Sequence, residues 1–234
     1  MRRVTRLSIL VGFLGSVVPA TAHADAITAT PAENDPTLRS TPSERRNGVV
    51  LGASFGAGLA GASGYPNNAR LINDPDYFSS SPLLVGWSSS YFLMGALTDY
   101  LSFGPLLSIA TFESDKWKST GWAIGFRGEV FPLIGVAKKT GLDWLADTAA
   151  YAQLGFGTTE LRAKGPYPTA DGSQSFLSGG VHQEFRLFRM LGGHAAAGPY
   201  VEYSAIRADA AERHWASVGL RLAWYGGTVA LDAR

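Results

Sequence analysis

His182 and Glu184 stand two residues apart, a spacing that puts both side chains on one face of an extended strand. A histidine beside a carboxylate can work as a general base with its orienting partner, but nucleophilic catalysis also needs a serine or second acid at the same depth. No such residue is evident at a matching position. His214 and Ser217 are three apart and point to opposite faces of a strand, so they do not meet either. Asp74 and Asp76 flank Pro75, and two carboxylates fall short of the several oxygen ligands that a hard cation requires, so the segment reads as a turn. The sequence therefore predicts no catalysis, no cofactor and no metal site. What remains is a set of opposite charges at the same two-residue spacing: Arg127 with Glu129, Glu184 with Arg186, and the isolated Glu202 and Arg221. Such charges are tolerated in a dry interior when they pair and are hydrogen-bonded.

The elements that must carry them are strands. From Asn47 onward, small or polar residues alternate with large apolar ones in segments of about ten residues separated by turn-rich stretches, and no helical period competes over most of the chain. The segments are expected at about Gly48 to Ala60, Leu83 to Leu97, Leu101 to Phe112, Thr120 to Phe131, Ala149 to Leu161, Gln174 to Phe188 and Ala195 to Ile206, with Ser217 to Trp224 at the heart of the eighth. In the first, Val49, Leu51, Ala53, Phe55 and Leu59 oppose Gly52, Ser54, Gly56 and Gly58. In the fourth, Trp122, Ile124 and Phe126 oppose Gly121, Ala123, Gly125, Arg127 and Glu129.

Alternation alone does not say which face meets water; the residue types on the polar face do. A solvated face carries Lys, Glu and Thr, whereas this one is mainly Gly, Ala and Ser with a few isolated charges. Small residues suit the narrow interior of an eight-stranded barrel, which leaves the bulky row facing lipid. An Arg on the lipid face near the bilayer midplane would cost roughly 2–4 kcal/mol, so Arg127, Arg186 and Arg221 are expected to point inward. Trp87, Trp122, Trp215, Trp224 and Tyr225 lie toward strand ends, where an amphipathic ring is favoured at headgroup level.

Composition agrees. Charged residues are 17% of the 234, against roughly 25% in soluble domains, and no stretch of about 20 apolar residues exists for a helical span. The start of the chain, Arg2, Arg3 and Arg6 followed by an apolar run from Leu7 to Val18 and by Ala22-His23-Ala24, reads as an export signal over residues 1–24. Its removal takes the formal charge from +1 to −2, which gives no basic footprint for nucleic acid. Residues 25–46, rich in Pro, Thr, Ser and Glu, read as a flexible periplasmic leader, and 47–234 as the barrel. The absence of cysteine fits a barrel closed by its own hydrogen bonds.

The stretch Ser217-Val-Gly-Leu-Arg-Leu-Ala-Trp224 resembles the terminal-strand signal of Gram-negative outer-membrane barrels, with Gly219, Leu222 and Trp224 matching its glycine and alternating large apolar residues. Together with the export signal and the alternating body, it makes the chain similar to the small eight-stranded class that includes the OmpA, OmpX and OmpW-like proteins. The family normally closes on an aromatic residue, whereas Gly226 to Arg234 follows here. The resemblance implies an all-β, antiparallel, up-and-down transmembrane barrel in the outer membrane, contact with lipid and lipopolysaccharide, and delivery by the barrel-assembly machinery. Ser63–Pro82, Ser114–Ser119, Arg162–Ser173 and Arg207–Arg213 then become outward connections. Leu133–Thr148 becomes a long inward one, either a short interfacial helix carrying Leu142, Trp144 and Leu145 or a plain loop. Arg127, Glu129, Glu184, Arg186 and Arg221 should share one level near the periplasmic end, with Glu202 above them beside Tyr200 and His182. An ion-pair layer of this kind predicts a plugged barrel with a structural or surface-interaction role; the competing expectation is a small porin or OmpW-like channel.

Overall fold

The computed structural model describes Arg46 and residues 48–226. The export signal, the leader before Arg46 and the tail after Gly226 lie outside the described residues.

Eight long strands carry the fold: β1 (Gly48–Gly64), β2 (Leu84–Thr98), β3 (Leu101–Glu113), β4 (Trp117–Val130), β5 (Thr148–Ala163), β6 (Ala170–Gln183), β7 (Gly193–Arg207) and β8 (Ala211–Tyr225). Each pairs antiparallel with its neighbours in chain order, and β8 closes on β1 from Val50↔Tyr225 to Gly64↔Ala211. A short continuation of β6, Phe185–Met190, pairs with the start of β7 and turns through Leu191 and Gly192, both with positive φ. Closure leaves no unpaired edge, as a chain surrounded by hydrocarbon requires.

The register fixes the shape. Moving sideways from Ala53 through Tyr91, Leu107, Ile124, Phe156, Ser175, Arg207 and Glu212 returns to β1 at Ser63, ten residues farther along. At ~3.3 Å per residue and ~4.8 Å between strands, this stagger tilts the strands by roughly 40° from the axis and gives a backbone radius of roughly 8 Å. Such a tube has room for side chains and little else.

The two rows sort as their residue types demand. Leu51, Phe55, Leu93, Phe103, Ile124, Phe126, Leu154, Val201 and Leu220 all stand exposed on the outside, a continuous apolar belt that only lipid can cover. The protein is a transmembrane β-barrel. Inside, glycine is required where walls or side chains come close: a Cβ on Gly56 would lie 2.5 Å from Tyr200 Oη and 2.7 Å from the Val218 carbonyl oxygen.

Three features depart from the sequence reading. The strands reach farther at the outward end, so the connections shorten to residues 114–116, 164–169 and 208–210, and Arg213 becomes a strand residue. Trp215 and Tyr225 face inward and are buried, whereas Trp87 and Trp122 face out. The cause is parity, since Trp215 and Tyr225 fall in the row of Ser217 and Gly219 and no register shift interrupts β8. At the inward end a helix, α1 (Ile134–Thr140), ends on Gly141 in the left-handed region at φ 70°, and a 3-10 turn follows over Asp143–Asp147. Ile134, Ala137 and Ala146 pack with Phe131 and Ala149 as a small apolar cap, while Leu142 and Trp144 stay exposed.

Candidate functional site, a buried charge layer across the lumen

The interior is filled in three tiers. At the end carrying α1, polar groups enter from four directions. Arg221 on β8 and Glu129 on β4 face inward from opposite walls, Glu184 sits between β6 and its continuation, and Arg46 enters from below β1. Arg221 Nη2 donates to Glu129 Oε1 at 3.1 Å and Oε2 at 2.9 Å, and its Nη1 donates to Glu184 Oε1. Arg127 Nε donates to Glu129 Oε1 at 2.7 Å. Tyr225 Oη donates to Glu184 Oε1 at 2.6 Å. All of these side chains are buried.

Aromatic rings cover the cations. Arg127 Cζ lies 3.7 Å from the Tyr151 ring centroid, and both it and Arg221 Cζ stand 4.8 Å from that of Phe92. A ring face offers a guanidinium an attraction that needs no water. The several N–H groups of one guanidinium can also serve two acids at once, as Arg221 does with Nη2 on Glu129 and Nη1 on Glu184.

Arg46 closes the layer from below. Its Nη2 lies 2.9 Å from Asp147 Oδ1 and 3.5 Å from Glu184 Oε2, it donates to the Ala146 carbonyl, and its Cζ lies 3.3 Å from the Phe131 ring centroid. Sequence reasoning placed this residue in a flexible leader. The only local signal was a basic pair, Arg45-Arg46, immediately before the first strand.

The structure brings Arg127, Glu129, Glu184 and Arg221 into one layer and sets Arg186 apart. Arg186 is exposed at the rim, below Glu184, where a register irregularity between Arg186 and Phe188 marks the end of the filled lumen. The place beneath Glu184 belongs to Arg46. Glu202 occupies the middle tier, accepting from Tyr151 Oη at 3.1 Å, Gln153 Nε2 at 3.0 Å and Ser204 Oγ at 2.9 Å. His182 stands across from Tyr200 of β7, its ring between those of Phe131 and Tyr151 and its Nε2 3.6 Å from Glu184 Oε1. Around Glu202 the wall is hydroxyl-lined, with Ser54, Ser88, Ser90, Ser108, Ser178 and Ser217 buried. The third tier is mainly apolar: Leu84, Phe112, Leu161, Phe176, Ile206 and Trp215 pack beneath the outward connections, with Arg213, Ser119 and Thr159 buried among them.

The remaining sequence candidates have simple places. Asp74 Oδ1 accepts from the Asp76 N–H at 3.1 Å and caps the 3-10 turn Pro75–Tyr77. His214 faces outward, its Nδ1 2.8 Å from Tyr203 Oη, while Ser217 is buried in the lumen. Leu222 faces lipid, Gly219 packs against the Phe55 carbonyl and Gly56, and Trp224 Nε1 donates to the Met190 carbonyl at 3.1 Å.

No protein-family model and no curated protein matches the chain. Among solved structures, the chain is similar to Ail, the attachment invasion locus protein of Yersinia pestis, at 11% identity over 74% of this chain and 98% of that one, with a TM-score of 0.40. It is similar to Neisserial surface protein A at 11% identity, over 74% and 95% of the two chains, with a TM-score of 0.38. It is also similar to the outer membrane protein OprG from Pseudomonas aeruginosa at 8% identity, over 79% and 100%, with a TM-score of 0.38.

Proposed function

We propose that this protein is an outer-membrane barrel of a Gram-negative bacterium with a structural or surface-interaction role, its lumen closed to solutes by the layer around Arg221. The observation that carries this reading is Arg221 joined to Glu129 and Glu184 at once, with all three side chains buried. A solute path along the axis would have to separate these charges, and each ion left unpaired in a dry interior costs several kcal/mol. The partners on this reading are membrane lipid and lipopolysaccharide around the apolar belt, and the barrel-assembly machinery acting on the strand that holds Gly219, Leu222 and Trp224. The outward connections are the surface available to other molecules.

Planar-bilayer recording of the refolded protein tests the reading. The expected result is no steady single-channel current, with small openings arising in Arg221→Ala. Steady currents from the unaltered protein would overturn the plug in favour of a small channel.

A further inference from the structure

Among the described residues, four arginines and three glutamates are buried inside or at the base of the barrel: Arg46, Arg127, Arg213 and Arg221 against Glu129, Glu184 and Glu202. Arg46, Arg127 and Arg221 all contact the carboxylates of the lower layer. Arg213 is the remainder. It is 0% exposed, and none of Nε, Nη1 and Nη2 has a protein hydrogen-bond partner.

Its surroundings are specific. From β8 the side chain crosses the outward part of the lumen to the opposite wall, where a Cβ on Gly121 of β4 would lie 2.7 Å from Nη1. Its Cζ stands 4.9 Å from the Trp215 ring centroid and 5.1 Å from that of Phe112. Two buried hydroxyls without protein partners share that wall: Thr159, directly across from Gly121 on β5, and Ser119, two residues along β4 on the same face. The indole Nε1 of Trp215 is a further buried donor with no protein partner. Ring faces offset part of the cost of a desolvated guanidinium, yet they satisfy none of its N–H groups, and buried donors are almost always satisfied.

We propose that the outward part of the lumen is a binding site for one small monovalent anion of halide size, held by the Arg213 guanidinium with Ser119, Thr159 and the Trp215 indole N–H as neighbouring donors. A tube of roughly 8 Å backbone radius that side chains already fill favours an ion of this size over a phosphate or an organic acid. The anion would neutralise Arg213, the buried arginine whose side chain has no carboxylate beside it among the described residues.

The test is thermal unfolding of the protein refolded in detergent micelles, titrated with sodium chloride or bromide against sodium gluconate at equal ionic strength. A ligand that binds only the folded state, at tenfold excess over its Kd, raises the midpoint by about 3–6 °C. The expected result is a saturable rise in halide that gluconate does not reproduce, absent in Arg213→Met and weakened in Ser119→Ala/Thr159→Val. Equal curves in halide and gluconate, or a halide effect retained in Arg213→Met, would overturn the proposal. Should Arg213→Met fail to fold, crystals of the unaltered protein grown in bromide decide it: an anomalous peak beside Arg213 supports the site, and density without anomalous signal there means water alone and overturns it.

Discussion

Arg221 Nη2 and Glu129 Oε2 lie 2.9 Å apart although their strands, β8 and β4, stand on opposite sides of the barrel. One guanidinium therefore ties two walls across the full diameter and holds Glu184 as well. Removing it leaves two buried carboxylates short of their main cation, so Arg221→Met is expected to lower stability by about 3–5 kcal/mol. Adding Glu184→Gln should restore much of that loss, because Glu129 then keeps Arg127 and Arg46 keeps Asp147, so no ion is left unpaired. Urea unfolding in lipid vesicles measures both; a double variant no more stable than the single one would show that the layer is not one coupled unit.

Arg46 is a second entry into the same network, from outside the strands. Arg46→Ala is expected to cost about 2–4 kcal/mol through the lost contacts to Asp147, Glu184 and the Ala146 carbonyl. Arg46→Lys should recover only part of it, since an ammonium reproduces neither the stacking over Phe131 nor the forked geometry. The readout is the temperature at which the folded band is lost on a detergent gel.

Glycine positions separate close packing from mere small size. A Cβ at Gly219 would collide with the Phe55 carbonyl, whereas one at Gly61 meets nothing within 4 Å. Gly219→Ala is expected to cost about 1–3 kcal/mol by overpacking, and Gly61→Ala to be neutral or slightly stabilising because a strand glycine loses more backbone entropy. The same urea titration compares the two.

The direction of the rows is open to a spectroscopic check. In single-tryptophan variants refolded into vesicles with brominated acyl chains, Trp122 is expected to be strongly quenched and Trp215 hardly at all, since the first is 45% exposed on the outside and the second 3% inside. In parallel, Leu220→Arg should cost roughly 2–4 kcal/mol if it lies near the bilayer midplane. Quenching of Trp215 equal to that of Trp122 would reverse the assignment of faces.

The strands were legible because their period is two and the large apolar residues fall in one row; Val49 to Leu59 against Gly52 to Gly58 is enough to set the inside of β1. The same parity, applied strictly, also turns Trp215 inward. Depth was harder to read. The stagger of ten residues is a property of strand pairing, so nothing local says that Arg186 falls beyond the filled lumen. Arg46 was illegible for a related reason: its partner Ala146 is 100 residues away, beyond a helix that the sequence left as one of two alternatives. Arg213 was hidden by Ala208, Asp209, Ala210 and Ala211, whose composition reads as a connection although β8 begins at Ala211.

Glu184 receives one cation from the last strand and another from just ahead of the first. The two extremities of the folded body thus converge on a single carboxylate. Until the seam between Val50 and Tyr225 zips shut, that acid faces a greasy surrounding without either cation, while Glu129 keeps only Arg127 of its own strand, a condition strongly disfavoured in hydrocarbon. Sealing the wall and balancing the electrostatics become a single event, so a half-assembled cylinder is penalised twice and the finished one is guarded against reopening.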